Sequence, residues 1–179
     1  MLKTIYTYGS PVLREKASPV TTVTPEIRQL ISDMFETMYA AEGIGLAAPQ
    51  VGESIRLFII DLHPMDAKEG RRVFINPELL EFSDEKDVYD EGCLSIPTVR
   101  EDVVRPTAVR IKYQTPDGED RNEWIDTFLA RVIQHEFDHL EGVLFTDRIS
   151  AIKRSLLKKT LKKIADGEIE VEMSENYQL

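Results

Sequence analysis

Two histidines four residues apart, with a glutamate between them, constrain this chain more than any other feature. In His135-Glu136-Phe137-Asp138-His139 both imidazoles fall on one face of a helix, so both can reach a single point in space. Glu136 follows the first histidine and lies where it can touch a water at that point without itself binding an ion. This is the His-Glu-x-x-His arrangement of metal hydrolases. A solvated surface helix could carry the same two histidines. Here, however, Phe128, Leu129, Val132, Ile133 and Leu140 surround the motif, which predicts a buried helix from near Asp126 to Leu140, with Gly142 near its end. Other elements must wrap around this helix and leave one opening to it.

A catalytic site of this type needs a third protein ligand and an open position for water. The metzincin pattern supplies a glycine three residues after the second histidine and a further histidine three beyond that. Gly142 fits, but Phe145 occupies the second position and cannot bind a metal. A downstream glutamate of the thermolysin kind is missing as well, because residues 150–165 contain no acid, and Glu141 points to another helix face. A metallopeptidase that cuts internal bonds therefore stays an alternative without its third ligand. A non-catalytic structural-zinc protein is the other alternative; it would close the coordination sphere with a fourth ligand and have no use for Glu136.

Cys93 is the chain's one cysteine, so no intramolecular disulfide is possible. A lone cysteine is ordinarily a small buried hydrophobe. This one lies in Glu91-Gly92-Cys93-Leu94-Ser95-Ile96-Pro97, where glycine and proline imply a bend or strand end. A thiolate with two imidazoles is a sound ligand set for a divalent transition metal, which makes Cys93 the candidate third ligand. A third segment, Gly43-Ile44-Gly45-Leu46-Ala47-Ala48-Pro49-Gln50, combines glycines that let a substrate backbone approach closely with one polar side chain, Gln50, able to donate to an oxyanion. The remaining histidine, His63, sits in a turn-like His63-Pro64-Met65-Asp66 and is given no chemistry.

The rest of the chain predicts an α+β fold: small, mostly antiparallel sheets packed around the central metal-motif helix, with a C-terminal helix. Thr24-Pro25-Glu26 opens the first helix, an apolar face runs from Ile27 to Tyr39, and Gly43 is placed to end it in a left-handed conformation. Strand-like runs cover 55–62, 73–75, 79–82, 108–114 and 122–125, with Asp117-Gly118 as a hairpin turn between the last two. Ser150 caps a third helix that stops around Gly167, and the acidic residues 168–179 are expected to fray. A chain of 179 residues, 42% hydrophobic and 30% charged, suits one soluble domain spanning 1–179. No apolar run is long enough to cross a bilayer, and the first residues lack the apolar core and cleavage site of a secretory signal, so the cytoplasm is the expected compartment. The formal charge of −10 argues against DNA as a partner.

At three segments the sequence resembles the peptide deformylase family. That family carries Gly-x-Gly-x-Ala-Ala-x-Gln, Glu-Gly-Cys-x-Ser and His-Glu-x-Asp-His, which stand here at 43–50, 91–95 and 135–139, in that order. Similarity extends from about Pro11-Val12-Leu13-Arg14 to the helix after Ser150. The resemblance implies a metal-dependent hydrolase that removes the formyl group from the first methionine of new bacterial polypeptides and releases formate. By motif position, Cys93, His135 and His139 would hold the ion and Glu136 would act as base and then acid. The Leu94 backbone N–H and the Gln50 side chain would stabilise the oxyanion. Ile44 and Gly45 would meet the substrate, and Arg100 would contact it. Ligand type alone suggests zinc; the resemblance implies ferrous iron, with zinc or nickel able to replace it.

Two features depart from what the motifs explain. Arg131 lies one turn before His135 on the same face, where the resemblance implies an aliphatic residue lining a methionine pocket. A guanidinium cannot stay unpaired there, so its stem is expected to cover part of the wall while its head reaches solvent or a carboxylate at the rim, Glu42 and Glu91 being the candidates. The alternative is an arginine fanned outward beyond the site. The last helix carries Lys153, Arg154, Lys158, Lys159, Lys162 and Lys163. Either this is a solvated face favoured by the helix dipole, or the strip 153–163 meets ribosomal RNA near the emerging chain.

Overall fold

The computed structural model describes residues 1–178; Leu179 lies outside them. Helix α1 (Pro25–Ala40) begins where Thr24 accepts a hydrogen bond from the Ile27 N–H at 3.3 Å, with Pro25 in the first helical position. Its end differs from expectation. Glu42, not Gly43, takes the left-handed conformation, at φ 57°, while the Gly43 N–H returns to the Met38 carbonyl at 2.9 Å. Gly43 is needed for space instead: a Cβ there would lie 2.6 Å from Leu94 Cδ1.

Five strands form an antiparallel sheet in the order β1-β2-β3-β6-β7: β1 (Gly45–Ala47), β2 (Leu57–Asp61), β3 (Arg71–Phe82), β6 (Val109–Gln114) and β7 (Asp120–Ile125). The two runs expected at 73–75 and 79–82 are one strand, β3, broken in register after Ile75. There Asn76 adopts φ 50° and its side chain pairs with both backbone groups of Val20, at 2.7 and 2.8 Å. The β6–β7 hairpin turns at Asp117-Gly118, with Gly118 at φ 85°.

The sheet is covered on both faces, which β2 makes plain. All five of its residues are buried, and successive side chains point to opposite sides. Phe58 and Ile60 pack with Phe74, Ile111, Leu129 and Ile133, the last two from helix α2 (Phe128–Leu140). Leu57 and Ile59 pack with Met34 and Met38 of α1. The metal-motif helix is therefore clamped against the sheet.

A second, two-stranded sheet pairs β4 (Lys86–Cys93) with β5 (Ile96–Pro106) and was not foreseen as strand. Ile96, Val99 and Val103 from it share a core with Leu13, Phe145 and with Leu161 and Ile164 of α3 (Ala151–Ala165). Ser150 caps α3 by accepting from the Lys153 N–H at 3.2 Å, and Gly167 has φ 76°. Within the segment expected to fray, three described residues are held: Ile169 packs on the α3 core, the Ser174 N–H donates to the Ala40 carbonyl at 2.6 Å, and the Tyr177 hydroxyl donates to Glu36 at 2.7 Å.

Candidate metal centre

Helix α2 brings His135 and Glu136 to a cleft of about 750 Å³, with His139 buried one turn beyond His135 on the same helix. The end of β4 brings Cys93 opposite them, so that one donor atom from each of Cys93, His135 and His139 lies within 4.8 Å of the others. Cys93 Sγ is 3.4 Å from His139 Nε2. Among the described residues no fourth His, Cys, Asp or Glu joins this group, which leaves a tetrahedral ion one open position.

The tautomer of His135 is set from behind. Its Nδ1 sits 2.8 Å from Glu91 Oε1, so Nδ1–H donates there and the Nε2 lone pair faces Cys93 and His139. Glu91 is buried and fully engaged: Arg105 donates to both oxygens at 2.6 and 3.0 Å, and Arg131 donates to Oε2 at 2.7 Å. Burial works against its charge, but the hydrogen bonds from His135 and Arg105 outweigh it and hold the carboxyl far below the usual carboxylate range. Arg105 also reaches Asp138 at 2.9 Å, and Arg148 holds Asp138 through two bonds of 2.6 and 2.7 Å. Glu91 and Asp138 are thereby both paired with arginine.

The two imidazoles are shifted in opposite directions. Despite the opposing effect of burial, hydrogen bonds to Cys93 and Glu91 hold the His135 imidazole well above its ordinary pKa. Burial and the neighbouring His135 push His139 well below its own. Glu136 is pushed up to about 7, chiefly by burial and against the attraction of His135. Two buried side-chain atoms lack any hydrogen-bond partner among the described residues, Glu136 Oε2 and His139 Nδ1. Since buried polar atoms in native proteins are nearly always satisfied, two orphans in one motif mark a place where a further group binds. The residues present fit a single divalent metal ion.

The other segment completes the walls. Residues 48–51 turn in a 3-10 helix that buries Gln50, whose Oε1 accepts from the Ala47 N–H at 2.9 Å. Its Nε2 lies 3.0 Å from Ser95 Oγ and 3.5 Å from Cys93 Sγ, so the amide is aimed at the ligand cluster. Gly45 lies against Glu136: a Cβ added there would be 2.6 Å from its Oε1. Ile44, Leu94 and Arg100 also line the cleft; Arg100 is half-exposed and pairs with Asp90 at 2.8 Å. His63 is not among the lining residues.

Arg131 lines the cleft as well, and its head meets two carboxylates, the buried Glu91 and the exposed Asp87. The side chain is 7% exposed, because four acceptors surround the guanidinium: Glu91 Oε2, the Val103 and Asp87 carbonyls and Asp87 Oδ1, at 2.6 to 3.0 Å. Of the two partners named from sequence, Glu91 is engaged, while Glu42 makes no ion pair among the described residues. Arg105, Asp138, Arg148 and Ser95 were given no role from sequence. The only advance signal was chemical: a buried acid inside a motif must find a cation, and bidentate arginine is the usual one.

A helix that offers two imidazoles and a carboxylate to a cleft, with a cysteine opposite and one position open, defines a class, the hydrolases that work with a single bound metal ion. Comparison with known proteins narrows it. The family model for polypeptide deformylase matches residues 2–155. The peptide deformylase of Christiangramia forsetii is 45% identical, covering 96% of this chain and 94% of that protein; that of Pseudothermotoga lettingae is 49% identical, covering 92% of each. The crystal structure of a peptide deformylase from Legionella pneumophila superposes with a TM-score of 0.85 at 36% identity, covering 94% of this chain and 98% of the other. The chain belongs to the polypeptide deformylase family.

Proposed function

We propose that this chain hydrolyses the formyl group from the N-terminal methionine of newly made polypeptides, releasing formate and a free amine. The observation that carries this reading is the convergence of Cys93, His135 and His139 beside a buried Glu136 carboxylate that lacks a partner. A divalent ion held by the three would polarise the formyl carbonyl and make water a nucleophile near neutral pH.

The protein's own groups supply the rest. Glu136, with its pKa near 7, takes a proton from the attacking water and returns one to the leaving amine. Gln50 Nε2 and the Leu94 N–H donate to the oxygen that gains charge. The Gly45 backbone, free of a Cβ that would strike Glu136, pairs with the peptide. Ile44 and the Arg131 stem flank the methionine side chain, and Arg100 contacts the substrate beyond it. The whole of residues 1–179 serves as one catalytic domain.

Ferrous iron is the proposed ion, with zinc or nickel able to take its place, since a thiolate with two imidazoles accepts all three. With iron bound, activity should decay in air through oxidation of the metal and Cys93, and nickel should prolong it; equal lifetimes would count against iron. No helix among the described residues is long and apolar enough to cross a membrane, and a cytoplasmic location is proposed, where the substrate is made. Ribosome docking through α3 is the other proposal: its lysines are largely exposed, and so are Ile152 at 76% and Leu156 at 79%.

The test of the reaction is an anaerobic assay on formyl-methionyl peptides with iron supplied, beside acetylated and unblocked controls. Formate is expected from the formylated peptides alone. An intact, metal-loaded protein that releases none would refute the reading.

A further inference from the structure

The C-terminal segment is tied down on both sides of the cleft wall it forms. Ile169 is packed against the core under α3. Five residues later the Ser174 N–H donates to the Ala40 carbonyl at 2.6 Å, capping a carbonyl at the end of α1, and the Tyr177 hydroxyl donates to Glu36 one turn earlier on that helix at 2.7 Å. Between these anchors, Glu170 to Ser174 line the same cleft that holds Cys93, His135 and Glu136. The orphaned, buried Glu136 Oε2 in that cleft marks it as a place where a ligand is bound.

Residues 170–174 form neither helix nor strand, and the segment alternates in chemistry: Glu170 and Glu172 are exposed, Val171 is half-buried between them. Glu42, at the turn after α1, lines the cleft too. Among the described residues none of these three carboxylates has an ion-pair or hydrogen-bond partner, whereas Arg100 on the cleft's other side is already paired with Asp90. The wall contributed by the tail is thus both fixed in place and electrostatically unanswered.

We propose that residues 170–174 are the outer wall of the peptide-binding cleft, touching the stretch of substrate that follows the formylated methionine and favouring cationic side chains there. This rests on the deformylase reading above and deepens it: the metal end of the cleft recognises the formyl-methionine, and the tail reads what comes next. The effect is on binding, because the tail is anchored away from the reacting atoms, so it acts on KM and not on kcat.

The test uses the full chain, metal-loaded, and three substrates: a formyl-methionyl dipeptide, and formyl-Met peptides whose next positions are lysines or glutamates. Each protein's rates on the longer peptides are divided by its own rate on the dipeptide. The unaltered enzyme should prefer the lysine peptide, and Glu170→Lys with Glu172→Lys should shift the lysine-to-glutamate ratio by about tenfold toward glutamate, the size of two partly screened charge contacts. The shift should lie in KM. Glu170→Gln with Glu172→Gln, which leaves the fold less perturbed, should move the ratio part of the way. Tyr177→Phe, which removes one anchor, should weaken the preference in the same direction. A ratio that is the same in all four proteins overturns the proposal. Loss on both longer peptides together means a purely structural role and overturns it as well. No formate from the dipeptide with unaltered enzyme would bring down the deformylase reading itself.

Discussion

Helices α1 and α2 have 16 and 13 residues and each follows a threonine, yet they differ in how much charge they bury. α1 turns one apolar face to the sheet, led by Met34 and Met38 at 0% exposure, and its buried polar residues are few. α2 buries Arg131, Gln134, His135, Glu136, Asp138 and His139 as well as its apolar face. An apolar stripe stabilises wherever it is covered, by about 1.5–3 kcal/mol for each fully buried large side chain. A buried charged set stabilises nothing unless every member is paired. Both helices hold the sheet through apolar side chains, and α2 alone adds a buried charged set that must be paired.

That contrast can be broken most forcefully at Glu91. Glu91→Ala would leave Arg105, Arg131 and His135 without their shared acceptor, so thermal or denaturant unfolding should show a loss of about 3–5 kcal/mol. Metal affinity should fall in the same variant, because His135 loses the group that orients it. Met38→Ala on α1 should cost about 2–5 kcal/mol through the cavity it opens, with metal content in the folded protein unchanged. If the two variants lose metal equally, the division between the helices is wrong.

A smaller effect is expected at Arg131. Arg131→Ile still leaves Glu91 with Arg105 and His135, so the loss should be about 1–3 kcal/mol, that of unmade hydrogen bonds at Asp87 and Val103. Its kinetic signature should be a changed KM, or a changed ranking of formyl-Met against formyl-Leu peptides. Kinetics indistinguishable from wild type would place Arg131 outside the substrate's reach. The smallest contrast is at the helix starts. Thr24 caps α1 with its side chain and Thr127 makes no such bond to α2, so Thr24→Ala should destabilise by about 1 kcal/mol and Thr127→Ala by a few tenths at most.

The same contrast explains what could be read from sequence. α1 was legible because its caps and its apolar period agree, and β6 and β7 because a hairpin turn separates two patterned runs. The β4–β5 sheet was not. On β5 the odd-numbered positions face inward, but two of them are Glu101 and Arg105, which hides the apolar alternation of Val99 and Val103. On β4 the inward side ends in Glu91 and Cys93, which meet His135 and His139 instead of forming an apolar pair. The strands that build the site are those whose buried positions serve chemistry, and periodicity cannot see them. The motifs did reveal the cleft-facing residues by type and spacing. What lay behind them, Arg105 and Arg148, belongs to no motif and meets its acids only through the fold. The tail was misjudged for a related reason: its composition is that of a solvated end, and the anchors at Ala40 and Glu36 are visible only once α1 is in place.

The proposed roles divide within five residues of one helix: His135 and His139 would bind the ion with Cys93, and Glu136 would move protons without binding it. The direct measurement is metal content together with formate release in Glu136→Ala and His139→Ala, each purified anaerobically with iron. Glu136→Ala should retain about one ion per chain and lose activity by about 10²–10⁴-fold, while His139→Ala should lose both. A Glu136→Ala protein with an empty site, or one that keeps its metal and still releases formate at the wild-type rate, would contradict the account.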